Sequence, residues 1–391
     1  VLQAVGRGRL AAGESYDLDT VQPVLSCTKV VTGMVVAHLV DRGVLSYNDK
    51  VVDHWPEFAT FEPHRANISI ADLLQHRARL PFLVQGNHQL SASWMGSLHQ
   101  QHMEDWIIKG MQTEQDIADG DSCYHATSAG YILQACITRA DPTGRSIGAI
   151  LQEEITEPMG VKFYMGKGYP PEGCESAAQI KVPSNVWRLL NIFLPYYALK
   201  YIFRSNQKVK KVFNGLGFVR GAETMYRRGA MPFEGQRAVE QAWYNQPVTH
   251  SSEIPASNGV CNARSLAELA GVLANDGKHG KCQIIGKEAV RQMLQPGPSR
   301  TDHFLMTSHA FTTGGVDQIN ESVLGVDGFY GWNGWGGSLV IFSPTRRVSI
   351  ALTVTGARYA LSTEERWEPL VSAICYALDD PLFGGDNFFC V

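Results

Sequence analysis

The feature that most restricts this chain lies late in it. Gly331-Trp332-Asn333-Gly334-Trp335-Gly336-Gly337 leads into Ser338-Leu339-Val340-Ile341-Phe342, a turn at Ser343-Pro344-Thr345-Arg346, and a second apolar run from Val348 to Val354. Two β-rich runs joined by a short turn read as an antiparallel hairpin. The chain before it reads mostly as helix. Val30, Val31, Met34, Val35, Leu39 and Val40 give residues 27–42 a broad apolar face, stopped at Asp41-Arg42-Gly43. Ser69 caps a helix over Ile70 to Gln75, and Tyr131 to Arg139 and Ile147 to Ile155 are helical in pattern. Leu266, Leu269, Val272 and Leu273 lie at helical spacing within Ala263 to Asn275, and Trp367 to Leu378 is an amphipathic helix near the end. Helices in the middle and antiparallel strands late predict an α/β (α+β) sandwich. Residues 49–58 read as a loop, 81–122 as irregular and polar, and 168–185 as a connector rich in Pro, Gly and Ser. The aromatic block 186–247 reads as an inserted helical cap.

Composition removes several function classes. With 391 residues, 44% of them hydrophobic and only 18% charged, the chain can build a large core, and disorder is excluded as its main state. The net charge is −4, and neither Lys208-Val209-Lys210-Lys211 nor Arg346-Arg347 makes a basic face, so no nucleic-acid partner is expected. Val186 to Phe203 is the most apolar stretch, but Arg188, Pro195 and Lys200 interrupt it, against a transmembrane segment. Residues 1–20 carry no signal-peptide pattern, which leans slightly to an intracellular location and leaves the compartment open. Eight cysteines are scattered with neither Cys-x-x-Cys nor zinc spacing and are expected as buried free thiols. There is no His-Glu-x-x-His, and His99, His102 and Glu104 are expected on a polar loop in solvent. Gly6-Arg7-Gly8 lacks the strand a phosphate loop needs. No metal and no cofactor are therefore expected, and a homo-oligomer stays open.

Three elements carry chemistry. Ser26-Cys27-Thr28-Lys29 sits at the start of the 27–42 helix, where residues three apart share one face. A serine hydroxyl needs a base, and a lysine amine serves as one only when burial or nearby positive charge lowers its pKa. The apolar run after Lys29 supplies that burial, and the helix N-terminus adds positive potential at Ser26. Cys123-Tyr124-His125 precedes the next helix, and a tyrosine there can shuttle a proton if a cation lowers its pKa. Gly331 to Gly337 lets a strand approach a ligand closely and offer an N–H to an oxyanion. A rival nucleophile is Ser128 in Ala126-Thr127-Ser128-Ala129-Gly130, a loosened Gly-x-Ser-x-Gly elbow, but the residues before it read as a turn where that elbow needs a strand.

With these elements in this order, the chain resembles the serine β-lactamase-like hydrolases, above all class C β-lactamase-related proteins and the carboxylesterases sharing that fold. The resemblance runs from about Thr20 to Leu378 and includes Leu39 to Leu45, Ile70 to His76, Glu154 to Gly160 and Asn258-Gly259. It implies a β-lactamase/penicillin-binding-protein-like fold, an antiparallel sheet flanked by helices plus an all-helical region, as one catalytic domain over 1–391. It further implies Ser26 as the acylated nucleophile, Lys29 as general base and Tyr124 as the residue exchanging protons with the nucleophile and leaving group. Trp332-Asn333-Gly334 falls where the family has Lys-Thr-Gly, His-x-Gly or Trp-Gly-Gly, which puts the oxyanion hole at the N–H groups of Ser26 and Trp335. The implied substrate is a small ester or amide, with ester favoured because no cation at 332 would meet a β-lactam carboxylate. The alternative is a catalytically weakened scaffold or polymerising protein. Departures are Ala126 for the usual Asn, His76-Arg77-Ala78-Arg79-Leu80 for the usual His-Thr-Ser-Gly-Leu, and 25 residues before Ser26, where the family places two strands. Without those strands a sheet edge is expected to lie bare.

Overall fold

The computed structural model describes residues 15–83, 100–166, 169, 177–181, 243–305, 307–319, 327–357, 364–379 and 389–390. Most of the 186–247 block and of the 168–185 connector, and Val186 to Phe203, lie outside the described residues.

The predicted hairpin is there. Tyr330–Asn333, Leu339–Ser343 and Val348–Leu352 form an antiparallel set, with Val340 opposite Trp332 on one side and Ala351 on the other. Asp317–Gln318 adds to the outer side of Tyr330–Asn333. The edge of Val348–Leu352, expected bare, carries Phe389–Cys390 in parallel register. Every residue of Leu339–Ser343 is buried, as in a strand covered on both faces. Side chains alternate between two cores. Val340 and Phe342 join the main core, while Leu339 and Ile341 join Val348, Ile350, Trp367, Val371 and Cys375. The C-terminal helix Glu364–Asp379 thus covers one face. The helix Ala263–Ala274 covers the other, where Ser349 Oγ donates to Ala267 O at 2.8 Å. Each fully buried Val, Leu or Ile contributes about 1.5–3 kcal/mol.

The helix Thr28–Asp41 lies beneath Ala263–Ala274 and beside Lys287–Met293. Most of its own side chains are apolar or small, and it is buried on all sides from Thr28 to Leu39 rather than on one face. Gly43, at φ +68°, ends it, and the Gly43 and Val44 N–H groups take up the carbonyls of Val40 and Leu39. A small sheet, Gln22–Pro23 with Val260–Cys261 and Phe163–Tyr164, anchors the chain before Ser26, helped by Val24 N donating to Gly259 O at 2.9 Å.

A helical region packs beside this sandwich. Ser69 caps Ile70–Leu74 in a reciprocal capping box with Asp72. The helix Ser128–Ala140 follows the Tyr124 turn. Two stretches read as irregular are not. Val51–His54 is helical and Pro56–Ala59 a 3-10 turn, and Gln100–Gly110 is a helix within 81–122 that carries His102. Arg65, fully buried, explains why the latter holds: its guanidinium donates to the Ile107 and Met111 carbonyls at the helix end. The Ile147 to Ile155 helix continues from Ile147–Ile150 as a π-helical turn, Leu151–Thr156. Cys27, Cys123, Cys136 and Cys261 are buried free thiols as expected, but Cys282 is exposed. Among the described residues no helix is long and apolar enough to cross a membrane.

Candidate active site

Ser26 stands in a 3-10 turn, Leu25–Cys27, directly ahead of the buried helix. The turn is strained, because Leu25 adopts φ +48°. Thr28 holds it there: its hydroxyl donates to Leu25 O at 2.5 Å and accepts from Gly259 N at 2.9 Å. The result projects a half-buried Ser26 over the helix end with Lys29 one turn on.

Lys29 Nζ lies 3.4 Å from Ser26 Oγ and donates to Ala126 O at 2.8 Å and Ala256 O at 2.9 Å. Burial pushes the Lys29 amine down to about 7. Tyr124 donates its hydroxyl to Ser26 Oγ at 2.9 Å and accepts from Trp332 Nε1 at 3.2 Å. Lys29 Nζ sits 4.8 Å from the Tyr124 ring centroid, yet the condition set by the sequence, a cation that lowers this phenol, is not met. Burial outweighs the hydrogen bonds that Tyr124 makes with Ser26 and Trp332, and Tyr124 is pushed up to about 12.

Three loops hold Tyr124 in place. Cys123 N donates to His76 O at 2.9 Å, His125 N to His76 Nδ1 at 3.2 Å, and Leu80 N to His125 Nε2 at 3.0 Å. Burial pushes His125 down to about 3 and His76 well below the usual imidazole range, so both rings stay neutral and accept these backbone donors. Asp302, fully buried, accepts from Ser122 Oγ at 2.6 Å and from the Phe304 and Leu305 N–H groups. Arg79, where the resemblance leads one to expect glycine, adopts the conformation a glycine would, φ +57°. Its guanidinium donates twice to Glu114 O and pairs with Asp119.

The glycine-rich segment meets the Ser26 turn. A methyl at Gly334 would run into the Val24 carbonyl, and Gly336 (φ +93°) holds a backbone conformation that side chains avoid. Trp332 is buried, Asn333 and Trp335 are half-buried, and the Trp335 ring lies 5.9 Å from Tyr244. Ser26, Lys29, Tyr124 and Trp332 are therefore in one hydrogen-bonded group, with Gly334 and Trp335 at its rim. The rival Ser128 is buried in the first turn of its helix, and its Oγ has no hydrogen-bond partner among the described residues. The Ala126 and Ala256 carbonyls that hold Lys29 escaped sequence reading, since backbone atoms carry no residue signature. The left-handed Leu25 escaped it too. His76 was visible only as part of an unusual stretch.

Comparisons with known proteins bear on the family and the fold. A family model described as Beta-lactamase matches residues 1–373. The chain is 26% identical over 350 residues to the Esterase/beta-lactamase LipL of Mycobacterium tuberculosis (strain ATCC 25618 / H37Rv), covering 86% of this chain and 70% of that protein. Among solved structures it is similar to a family VIII carboxylesterase (TM-score 0.71, 20% identity, 94% of this chain and 87% of that one). It is also similar to a penicillin-binding protein homolog from Caulobacter crescentus (TM-score 0.66, 22% identity, 93% and 85%). At these identities the two structures speak for the fold.

Proposed function

Because the chain belongs to the beta-lactamase family, we propose that it is a serine hydrolase that forms an acyl-enzyme on Ser26 and acts on small esters in preference to β-lactams. The observation that carries this reading is the setting of Lys29. A neutral amine has two N–H bonds and one lone pair. Both N–H bonds have acceptors in the Ala126 and Ala256 carbonyls, so the lone pair is left for the Ser26 hydroxyl. With the amine at about 7, a large share of molecules hold this base-ready form at neutral pH.

Two hydrogen bonds run toward Ser26, Trp332 N–H to Tyr124 and Tyr124 O–H to Ser26, and once the amine is neutral the Ser26 O–H turns to its lone pair across the 3.4 Å gap to Nζ. On attack, the Ser26 proton passes to Lys29 Nζ while Oγ bonds to the acyl carbon. Charge develops on the carbonyl oxygen, and the Ser26 and Trp335 N–H groups form the oxyanion hole. Such donors are each worth about 10²–10³ in rate. The close approach of Gly334 to Val24 supports that assignment. Tyr124, still protonated, gives its proton to the leaving oxygen as the C–O bond breaks. Water then attacks the acyl-enzyme, its proton returns to Tyr124, and Lys29 returns the proton to Ser26.

The ester preference rests on residue 332. An indole offers one neutral donor, already used on Tyr124, and no charge for a β-lactam carboxylate. We also read residues 1–391 as one catalytic domain with the 186–247 block inserted. Incubation with a fluorophosphonate probe, followed by peptide mapping, should place the label on Ser26 and on no other serine. Short-chain p-nitrophenyl esters should turn over faster than a chromogenic cephalosporin, with both lost in Ser26→Ala. Cephalosporin turnover far above ester turnover would overturn the preference, and label on Ser128 would overturn the nucleophile.

A further inference from the structure

Trp332 has a geometry that the proposed cycle leaves unexplained. Its backbone is fixed by pairing with Val340, and its carbonyl accepts from Cys27 Sγ at 3.8 Å, so the residue is tied to the nucleophile turn as well as to the sheet. Its ring is wedged among Phe311 at 5.1 Å, His309 at 5.2 Å and Tyr124 at 5.6 Å. His309 is itself immobilised, with Asp317 Oδ2 at 2.8 Å on one ring nitrogen and Thr307 Oγ1 at 2.7 Å on the other. A buried indole held on three sides has one orientation, and in it the only polar atom of the side chain meets the Tyr124 hydroxyl oxygen.

An indole N–H donates and never accepts. Its bond to Tyr124 therefore leaves the tyrosine proton free to point only at Ser26 and, during turnover, at the leaving oxygen. It also strengthens once that proton has gone, because a phenolate accepts more strongly than a phenol. We propose that Trp332 is the positioning residue for leaving-group protonation: it aims the Tyr124 O–H and stabilises the Tyr124 phenolate between departure of the alcohol and attack of water. The proposal rests on the Ser26 acyl-enzyme reading. The balance is complete within that cycle. The Ser26 Oγ–acyl bond forms, the acyl–alkoxy bond breaks, the Tyr124 proton leaves on the alcohol, and a proton from water restores it. Trp332 exchanges no proton.

The role predicts a dependence on the leaving group. A p-nitrophenolate departs without a proton, whereas an ethoxide does not. The test measures kcat/KM, which reports acylation, for butyrate esters of p-nitrophenol, phenol, trifluoroethanol and ethanol on wild type and Trp332→Phe. The expected result is a loss on the ethyl ester at least tenfold greater than on the p-nitrophenyl ester, graded between them by the pKa of the alcohol. In Tyr124→Phe the same Trp332→Phe change should add no further gradient. An equal loss on all four esters, or a gradient that persists without Tyr124, overturns the proposal and leaves the Ser26 reading intact. Turnover that survives Ser26→Ala overturns both. Should Trp332→Phe fail to fold, as read by its circular dichroism, site-specific 3-benzothienylalanine at position 332 keeps the shape, removes the N–H, and must give the same gradient.

Discussion

Lys29→Met separates the chemical use of the lysine from its cost to the fold. Met is similar in length, unbranched and apolar, so it fills the same space without a charge. Lys29 ordinarily would titrate at 10.5 and in the fold sits at about 7, because burial disfavours the ammonium. The unfolded chain therefore holds a proton that the folded chain has released anywhere between those values. More protons bound by the unfolded state means that wild-type stability rises with pH across this window, by about 1.4 kcal/mol per unit. At pH 7, where the buried amine is half protonated, the lysine costs the fold about 4 kcal/mol, and at pH 9 about 2. Against this gain, Lys29→Met strands the Ala126 and Ala256 carbonyls, at about 1–3 kcal/mol each. The absolute difference between variant and wild type at pH 7 is thus a few kcal/mol at most. Its change with pH does not contain the carbonyl terms. Urea unfolding of both proteins at pH 7 and pH 9 should show the variant losing about 2 kcal/mol relative to wild type between the two, while ester turnover is abolished at both. A stability difference that is flat with pH would refute the depressed lysine and, with it, the account of Lys29 as a base.

Further outcomes follow from the same geometry. The pH profile of ester kcat/KM should rise through about 7 as Lys29 loses its proton and stay high well into the alkaline range, since Tyr124 holds its proton to about 12; a fall between pH 6 and 8 would contradict the assignment. Gly334→Ala drives a methyl into the Val24 carbonyl and should cost about 1–3 kcal/mol of stability and most of the turnover, read by thermal unfolding and ester assay. Arg79→Gly relieves a left-handed residue, worth about 1 kcal/mol, but removes two bonds to Glu114 O and the Asp119 pair, so the melting temperature should fall by a few degrees rather than rise. Ser128→Ala, which removes an unpaired buried hydroxyl, should leave turnover within twofold of wild type and stability unchanged or slightly higher.

The sandwich was readable from the residues where burial follows a simple period. Leu339 to Phe342 alternates between two cores, and Leu266, Leu269, Val272 and Leu273 all point into the structure. The helix at Gln100–Gly110 was not readable, because its stop is supplied by Arg65 from a distant turn. The site divides the same way. Ser26 and Lys29 are close in sequence, and helical spacing alone puts them on one face. Tyr124 and Trp332 came only through the order of motifs, and the direction of the Tyr124 shift could not be read because sequence does not show the depth of burial. The strained Leu25 and the two carbonyls on Lys29 are backbone facts that no residue name announces.

The Thr28–Asp41 helix has a consequence for how this protein fails. Its amino end carries Lys29, with Ser26 in the turn just ahead, the two residues proposed to react, and from Thr28 to Leu39 it is enclosed on every side. Segments of that kind exchange their amide hydrogens only through global opening, whereas surface lids open locally at little cost. Heating should therefore not disarm the centre before the molecule melts. Loss of activity and loss of structure become one event, and adaptation to a new substrate is confined to the surrounding loops, because the strut beneath them has no slack to give.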